Sequence, residues 1–279
     1  FGDTHPGYLN THPISRMIRN AQHNDKKEQE EYFTAMLKCF HPDAGKTKDN
    51  KKSVPVSISS FFDEKPLELN PNIEAGEIKQ YVSPLFYAPN VSWLVQRNGM
   101  NPRHSLMISL NASEGNHMHA NGISMELYGK GYVLAPDAGI GLYLYSGLDY
   151  LEYYSQFPSH NTVCVDGISS YPVMKSNHSF DLKSSFPVSS EPGKAFTSVT
   201  YSDVSFREPE SRADQTRMMS IVTTGPETGY YVDIFRSRKE RGGDKMHDYF
   251  YHNLGQTLTL TGTDGADLNL QPTEELAFA

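Results

Sequence analysis

From about residue 54 onward, the chain consists of short β-branched and aromatic runs separated by polar turn residues. Runs of this kind, bounded by Gly, Pro, Asn, Asp or Ser, are typical of strands in antiparallel sheets. Their regular spacing predicts a mainly β fold, an antiparallel β-sandwich. The predicted strands lie at residues 54–62, 91–97, 105–112, 123–129, 161–167, 179–186, 196–203, 218–224, 229–237, 247–253 and 257–262.

Helical periodicity is convincing only within residues 13–41. Apolar side chains recur there along one helix face, at Tyr32, Met36, Leu37 and Phe40. The segment predicts two short helices, with Asp25 as a possible N-cap of the second. Residues 41–53 are polar and basic without an apolar period, which indicates an exposed linker. We therefore predict a short N-terminal helical segment at 1–50 and a β-sandwich at 51–279.

Composition excludes several classes of protein. The formal net charge of −8 is unfavourable for a broad basic surface that binds nucleic acid. No run of apolar residues is long enough to predict a membrane span. Cys39 and Cys164 are 125 positions apart without C-x-x-C spacing, so they predict neither a zinc knuckle nor a disulfide framework. An acidic polysaccharide would have to be held by local cations in a cleft.

A histidine-rich stretch, "GNHMHANG" at residues 115–122, contains the most specific chemical signal. On a strand, His117 and His119 would point to the same side. Asp137 follows the next apolar run, so a hairpin would return its carboxylate towards the histidines, and His160 directly precedes another strand. Two imidazoles and a carboxylate with an open fourth position match the ligands that zinc accepts. Each histidine taken singly remains more consistent with an ordinary surface or hydrogen-bonding role.

A cupin also uses an H-x-H strand, and it is the main metalloprotein alternative. Cupins place a glutamate ligand three or four residues after the second histidine. The first glutamate after His119 is Glu126, with six residues between them. The spacing therefore disfavours a cupin.

The motifs "GNHMHANG", "LAPDAG" and "SHNTVCVDG" stand in the order found in heparinase II/III-like polysaccharide lyases. The chain resembles the β-sandwich domain of that family, most strongly over residues 105–167. The resemblance implies that His119, Asp137 and His160 are zinc ligands and that His117 is the catalytic histidine that faces the substrate. The family usually has Asp at the position of Asn121. Asn121 is thus expected outside the ligand set, where an amide orients a histidine without raising its basicity.

The same resemblance implies an α/α toroid in front of the sandwich, of which residues 1–50 would be the end or the link. The expected protein is a polysaccharide lyase that needs this toroid and cleaves uronic-acid glycans, heparan sulphate-like or alginate-like, by β-elimination. Its expected location is the periplasm or the outside of the cell. The alternative is a zinc-stabilised sandwich that binds glycan, or has a structural role, without catalysis. Candidate substrate-binding residues are Asn116, Tyr153, Tyr154, Arg238 and His252.

Overall fold

The computed structural model describes residues 12–41, 67–101, 103–141, 149–167, 175–188, 196–242 and 246–271. The described residues up to Ser83 belong to one compact unit, and those from Pro84 onward belong to another. The predicted strand at 54–62 and the predicted boundary at residue 50 lie outside the described residues.

The first unit contains the two predicted helices, α1 at His12–His23 and α2 at Lys27–Phe40, followed by a 3-10 helix at Ala75–Tyr81. Ile18 and Leu37 are completely buried between these elements. The N-cap prediction for Asp25 is wrong, because Asp25 takes a left-handed conformation in the turn and Lys26 occupies the cap position. None of the helices within the described ranges has the length and apolar composition needed to cross a bilayer.

The second unit is built from antiparallel strands. The first sheet, in order across it, contains β1 Leu85–Ala88, β2 Trp93–Arg97, β3 Leu106–Asn111, β5 Ser124–Gly129 and β6 Tyr132–Ala135. The second contains β12 Thr228–Arg238, β11 Asp214–Gly225, β10 Val199–Arg207 and β9 Asp181–Phe186. Two smaller pairs join β4 Ser113–Asn116 to β8 Lys175–His178 and β7 Val163–Val165 to β13 His247–Tyr249.

The main core lies between the two larger sheets. Leu110 and Met125 from the first sheet and Met219 and Ile221 from the second belong to one buried apolar cluster. Along β10, buried and more exposed side chains alternate, as expected for a strand with one face in the core. The predicted mainly β sandwich with a short N-terminal helical segment is confirmed.

Two strand predictions near the end of the chain are wrong in extent. Residues 257–262 do not form a strand, and the only pairing found there is an isolated bridge between Thr261 and Asp267. At 247–253, the ladder includes only His247–Tyr249. Leu258 and Leu260 remain exposed, because alternating residues form a strand only where a neighbouring strand supplies hydrogen bonds and a core.

Candidate functional site

The two histidines of the "HMH" motif do not lie on one strand, so the geometric argument from strand alternation is wrong. β4 ends at Asn116, and His117 has a left-handed backbone with φ 61°. Gly115 also has a positive φ, and these two residues turn the chain out of the extended conformation. As a result, His117 is exposed, whereas His119 is only 2% exposed.

The three predicted zinc ligands nevertheless converge in one buried cluster, which we call the imidazole cluster and define as His119, Asp137 and His160. The Nδ1 atom of His160 lies 2.6 Å from Oδ2 of Asp137, and their side chains are 1% and 4% exposed. The rings of His119 and His160 have centroids 5.5 Å apart. Tyr150 packs edge-on against His119 at 5.6 Å. Segments distant in sequence therefore place two imidazoles and a carboxylate together.

The electrostatics of the cluster favour an ionised Asp137. Burial alone would raise the pKa of this carboxyl, but the neighbouring His160 and the backbone N–H of Gly139 outweigh burial and hold the pKa well below its ordinary value. The backbone N–H of Asp137 donates to Oε1 of Glu126 at 3.3 Å. Burial raises the pKa of Glu126 to about 7, although the Tyr128 hydroxyl, which donates to Oε2 at 2.6 Å, opposes the shift.

The donor types of the cluster suit zinc, which binds imidazole nitrogen and carboxylate oxygen. His160 Nε2 is buried, and no hydrogen-bond partner for it exists among the described residues. Asp137 holds Nδ1 of His160, and Nε2 is left for a metal, as in sites where a carboxylate orients a metal-binding imidazole. As placed, however, no three His, Cys, Asp or Glu groups of the described chain have the spacing of a metal site. Nδ1 of His160 is occupied by its hydrogen bond to Asp137, so Nε2 is the ring nitrogen of His160 that remains for a metal.

Asn161 holds the segments of the imidazole cluster together. Its Nδ2 donates to the backbone oxygens of Met125 and Pro136, each at 3.0 Å. Its Oδ1 accepts the backbone N–H of His252 at 2.6 Å. Because Pro136 directly precedes Asp137, these bonds fix the Asp137 backbone relative to the segment that carries His160. The sequence contained Asn161 within the "SHNTV" motif, but nothing in its spacing indicated this role.

A second polar residue missed by sequence reasoning is Arg217, whose side chain is fully buried on the inward face of β11. Its Nε and Nη2 donate to the two carboxylate oxygens of Asp233 at 3.0 and 2.7 Å. Tyr249 donates to Asp233 at 2.6 Å and accepts from Arg217 Nη2 at 3.2 Å. A bidentate pair of this kind satisfies both the charge and the directional donors of the guanidinium.

The remaining terminal nitrogen of Arg217 connects the second sheet to both histidine-bearing segments. Nη1 donates to the backbone oxygen of Ile123 at 2.7 Å and to that of Asn161 at 2.6 Å. Ile123 follows His119 by four residues, and Asn161 directly follows His160. One buried cation thus fixes the spacing of the two loops that bring the imidazoles together.

Comparison with known proteins identifies the domain that contains this cluster. Residues 83–218 match the family model described as heparinase II/III-like, C-terminal. This segment is a heparinase II/III-like C-terminal domain. The resemblance predicted from the motifs is confirmed.

The chain is also similar to individual known proteins. An endo-acting ulvan lyase of Formosa agariphila is 28% identical over 234 residues, which cover 78% of this chain and 29% of that protein. A solved heparinase III structure superposes with a TM-score of 0.54 at 12% identity, covering 95% of this chain and 32% of the other, which shows a shared fold. A heparan sulfate lyase of Pedobacter heparinus gives a TM-score of 0.47 at 15% identity over 86% of this chain and 29% of the other. The chain therefore spans less than a third of the length of these polysaccharide lyases.

Within the heparinase II/III-like domain, the aromatic and amide candidates lie near the cluster segments. Tyr153 and Tyr154 are half-buried, with rings 5.3 Å apart and nearly perpendicular. The ring of Tyr154 packs so closely over Gly141 that a Cβ there would lie 2.3 Å from it. Asn116 is exposed at the end of β4. Asn121 is buried, and its Oδ1 has no hydrogen-bond partner within the described part of the chain, so the expected bond to a histidine is not observed there.

The basic candidates are placed differently from each other. His252 packs against the loop of the domain that leads to His160, and its Nε2 lies 2.9 Å from the Pro158 carbonyl oxygen. Burial lowers the pKa of His252, which favours the neutral ring. Arg238 lies at the end of β12, exposed and paired with Glu240 at 2.9 Å. None of the contacts found for Arg238 among the described residues is with the imidazole cluster.

Proposed function

We propose that this chain is the β-sandwich part of a polysaccharide lyase that cleaves uronic-acid glycans by β-elimination. The observation that supports the proposal is the imidazole cluster with exposed His117 two residues from buried His119, within a heparinase II/III-like domain. Heparan sulphate, alginate and ulvan are the candidate substrates. The proposed location is the periplasm or the outside of the cell, where polymeric glycans are accessible.

β-Elimination at a uronate requires three catalytic contributions from the protein. The negative charge of the substrate carboxylate must be offset, because removal of the neighbouring C5 proton develops further charge on it. A base must accept that proton, and an acid must protonate the departing glycosidic oxygen. We assign His117 to the substrate carboxylate or to proton transfer, because it is exposed and an imidazole can donate a hydrogen bond or transfer a proton. The other acid and base are assigned to a toroid domain of the same protein.

The proposal includes a zinc ion held by His119 and His160, with Asp137 either as a third ligand or as the carboxylate that orients His160. When bound, such an ion would add a positive charge and would link the two loops that carry His119 and His160. His117 is then oriented by the short chain that joins it to His119. Hydrogen bonds from Asn161 and Arg217 hold the same loops from outside the cluster.

The lyase proposal is tested by incubating the complete protein with heparan sulphate, alginate and ulvan and following ultraviolet absorbance of the unsaturated uronate product. We expect product from at least one polymer and a loss of about 10²-fold or more in the His117→Ala variant. A His104→Ala variant is the matched control, because His104 is a partly exposed histidine that pairs with Glu227. Saturable glycan binding without product from any polymer would favour the non-catalytic module instead.

Zinc is tested separately by metal analysis of purified variants. We expect stoichiometric zinc in wild-type protein and in His104→Ala, and little in His119→Ala or His160→Ala. Asp137→Asn distinguishes the two roles of the carboxylate: loss of an orienting group weakens zinc binding about 10- to 100-fold, whereas loss of a ligand weakens it further. Equal zinc content in wild type and His119→Ala would refute the metal site.

A further inference from the structure

A pocket of about 330 Å³ lies on the outer face of the five-stranded sheet. Four of its lining residues are direct cross-strand neighbours: Arg97 is opposite Met107, Met107 opposite Tyr128, and Tyr128 opposite Val133. Directly paired residues of antiparallel strands have their side chains on the same face. Gln96, the neighbour of Arg97 on β2, reaches the opposite sheet, so this row points away from the core.

The cation in this pocket, Arg97, has no counter-ion among the residues that the structure describes. Arg97 forms no ion pair within the described part of the chain, and its Nε is buried without a hydrogen-bond partner there. Its Nη1 lies 3.5 Å from the sulfur atom of Met100, which is only a weak acceptor. Burial lowers the pKa of the guanidinium, as expected for a desolvated cation. An unpaired, partly buried charge costs stability, and an anionic ligand would supply the missing partner.

The remainder of the pocket suits a sugar ring. Tyr128 lines the pocket beside Arg97, and Tyr132, which is 72% exposed, is also among the residues that line it. Aromatic rings pack against the apolar faces of pyranoses, while a guanidinium binds carboxylate or sulfate through paired donors. The pocket is also connected to the imidazole cluster, because Tyr128 donates to Glu126, and Glu126 accepts from the backbone of Asp137.

We propose that this Arg97 pocket is a subsite for a sugar residue that carries an oxyanion, either a carboxylate or a sulfate. The identification of the ligand as a glycan rests on the proposed function, whereas its anionic character rests on the unpaired guanidinium. The pocket would bind one unit of the acidic chain while another unit is at His117.

The test measures binding of defined tetrasaccharides to the complete protein by calorimetry. Three probes separate the chemistries: a glucuronate-containing tetrasaccharide, the same compound with its carboxylates reduced to alcohols, and a sulfated derivative of the reduced compound. We expect Arg97→Met to weaken binding of one or both anionic probes roughly 10- to 100-fold and to leave the reduced probe unchanged. Arg97→Lys should show a smaller loss, because it retains charge without the paired donors. Arg207→Met, on the second sheet, is the matched control and should bind like wild type.

A stability measurement separates binding from a structural role. Because Arg97 has no ion-pair partner in the described part of the chain, Arg97→Met should leave the thermal unfolding midpoint unchanged or raise it. A lower midpoint, wild-type affinity of Arg97→Met for both anionic probes, or no binding of either anionic probe by wild type would overturn the proposal. Should Arg97→Met fail to fold, Arg97→Lys carries the binding test, with the smaller loss of affinity for the anionic probes and no change for the reduced probe. Arg97-dependent binding without uronate product from any polymer would refute the lyase activity and leave the subsite intact.

Discussion

Replacing Arg217 by methionine removes the buried cation that connects the second sheet to both histidine-bearing loops. The change deletes two bonds to Asp233, at 3.0 and 2.7 Å, and two to the carbonyl oxygens of Ile123 and Asn161, at 2.7 and 2.6 Å. Removing one partner of a buried ion pair costs about 3–5 kcal/mol, and the low end applies because the Asp233 side chain is 21% exposed and can be rehydrated. Each carbonyl that loses its donor adds about 1 kcal/mol. We therefore expect the free energy of unfolding to fall by roughly 4–6 kcal/mol.

Urea denaturation followed by circular dichroism measures this change. Arg207→Met is the matched control, because Arg207 is exposed and only loosely paired with Asp214, at 3.7 Å, so its loss should cost under about 1 kcal/mol. The double variant Arg217→Met/Asp233→Leu removes both charges and should recover part of the lost stability. Amide hydrogen exchange should accelerate first around Ile123 and Asn161. An Arg217→Met protein within about 1 kcal/mol of wild type would refute this account of the network.

Two further predictions concern the backbone next to the cluster and the thiols. Gly122 has φ +53° and a Cβ there would lie 2.9 Å from the ring of Phe157, so Gly122→Ala should lower the free energy of unfolding by about 2–3 kcal/mol in urea titration. Gly76→Ala, where nothing lies within 4 Å, should be nearly neutral, and equal effects would contradict the argument. Cys164 is buried, and desolvation with nearby carboxylates raises its pKa to about 11, whereas Cys39 is exposed. A thiol reagent at about pH 8 should therefore titrate one thiol in native protein and two after denaturation. In native protein, Cys164 should become reactive only as the pH rises towards its pKa. Rapid reaction of both thiols in native protein at about pH 8 would exclude this placement.

The order of motifs predicted the composition of the imidazole cluster better than the local geometry did. His119, Asp137 and His160 converge as expected, but the reason first given, a shared strand face for His117 and His119, does not hold. Positive φ angles at Gly115 and His117 turn the chain, and no periodic pattern of side chains encodes such a turn. The motif resemblance carried the correct grouping because it reflects the folded arrangement of a family.

The positions of the strands and the buried face of each strand follow from the local alternation of apolar and polar residues. A shift of one residue in the pairing register would turn every apolar side chain of a strand to the solvent face. β10 shows this pattern directly. The same alternation places Arg217 on the inward face of β11, where the pattern alone predicts an apolar residue. Its partners Asp233, Asn161 and Ile123 lie 16, 56 and 94 positions away, so only the folded chain supplies the carboxylate and the carbonyls that make a buried cation stable. Local patterning thus sets which residues form strands, while long-range packing sets which polar groups meet, because hydrogen bonds and charge pairs depend on distance in space and not on distance along the chain.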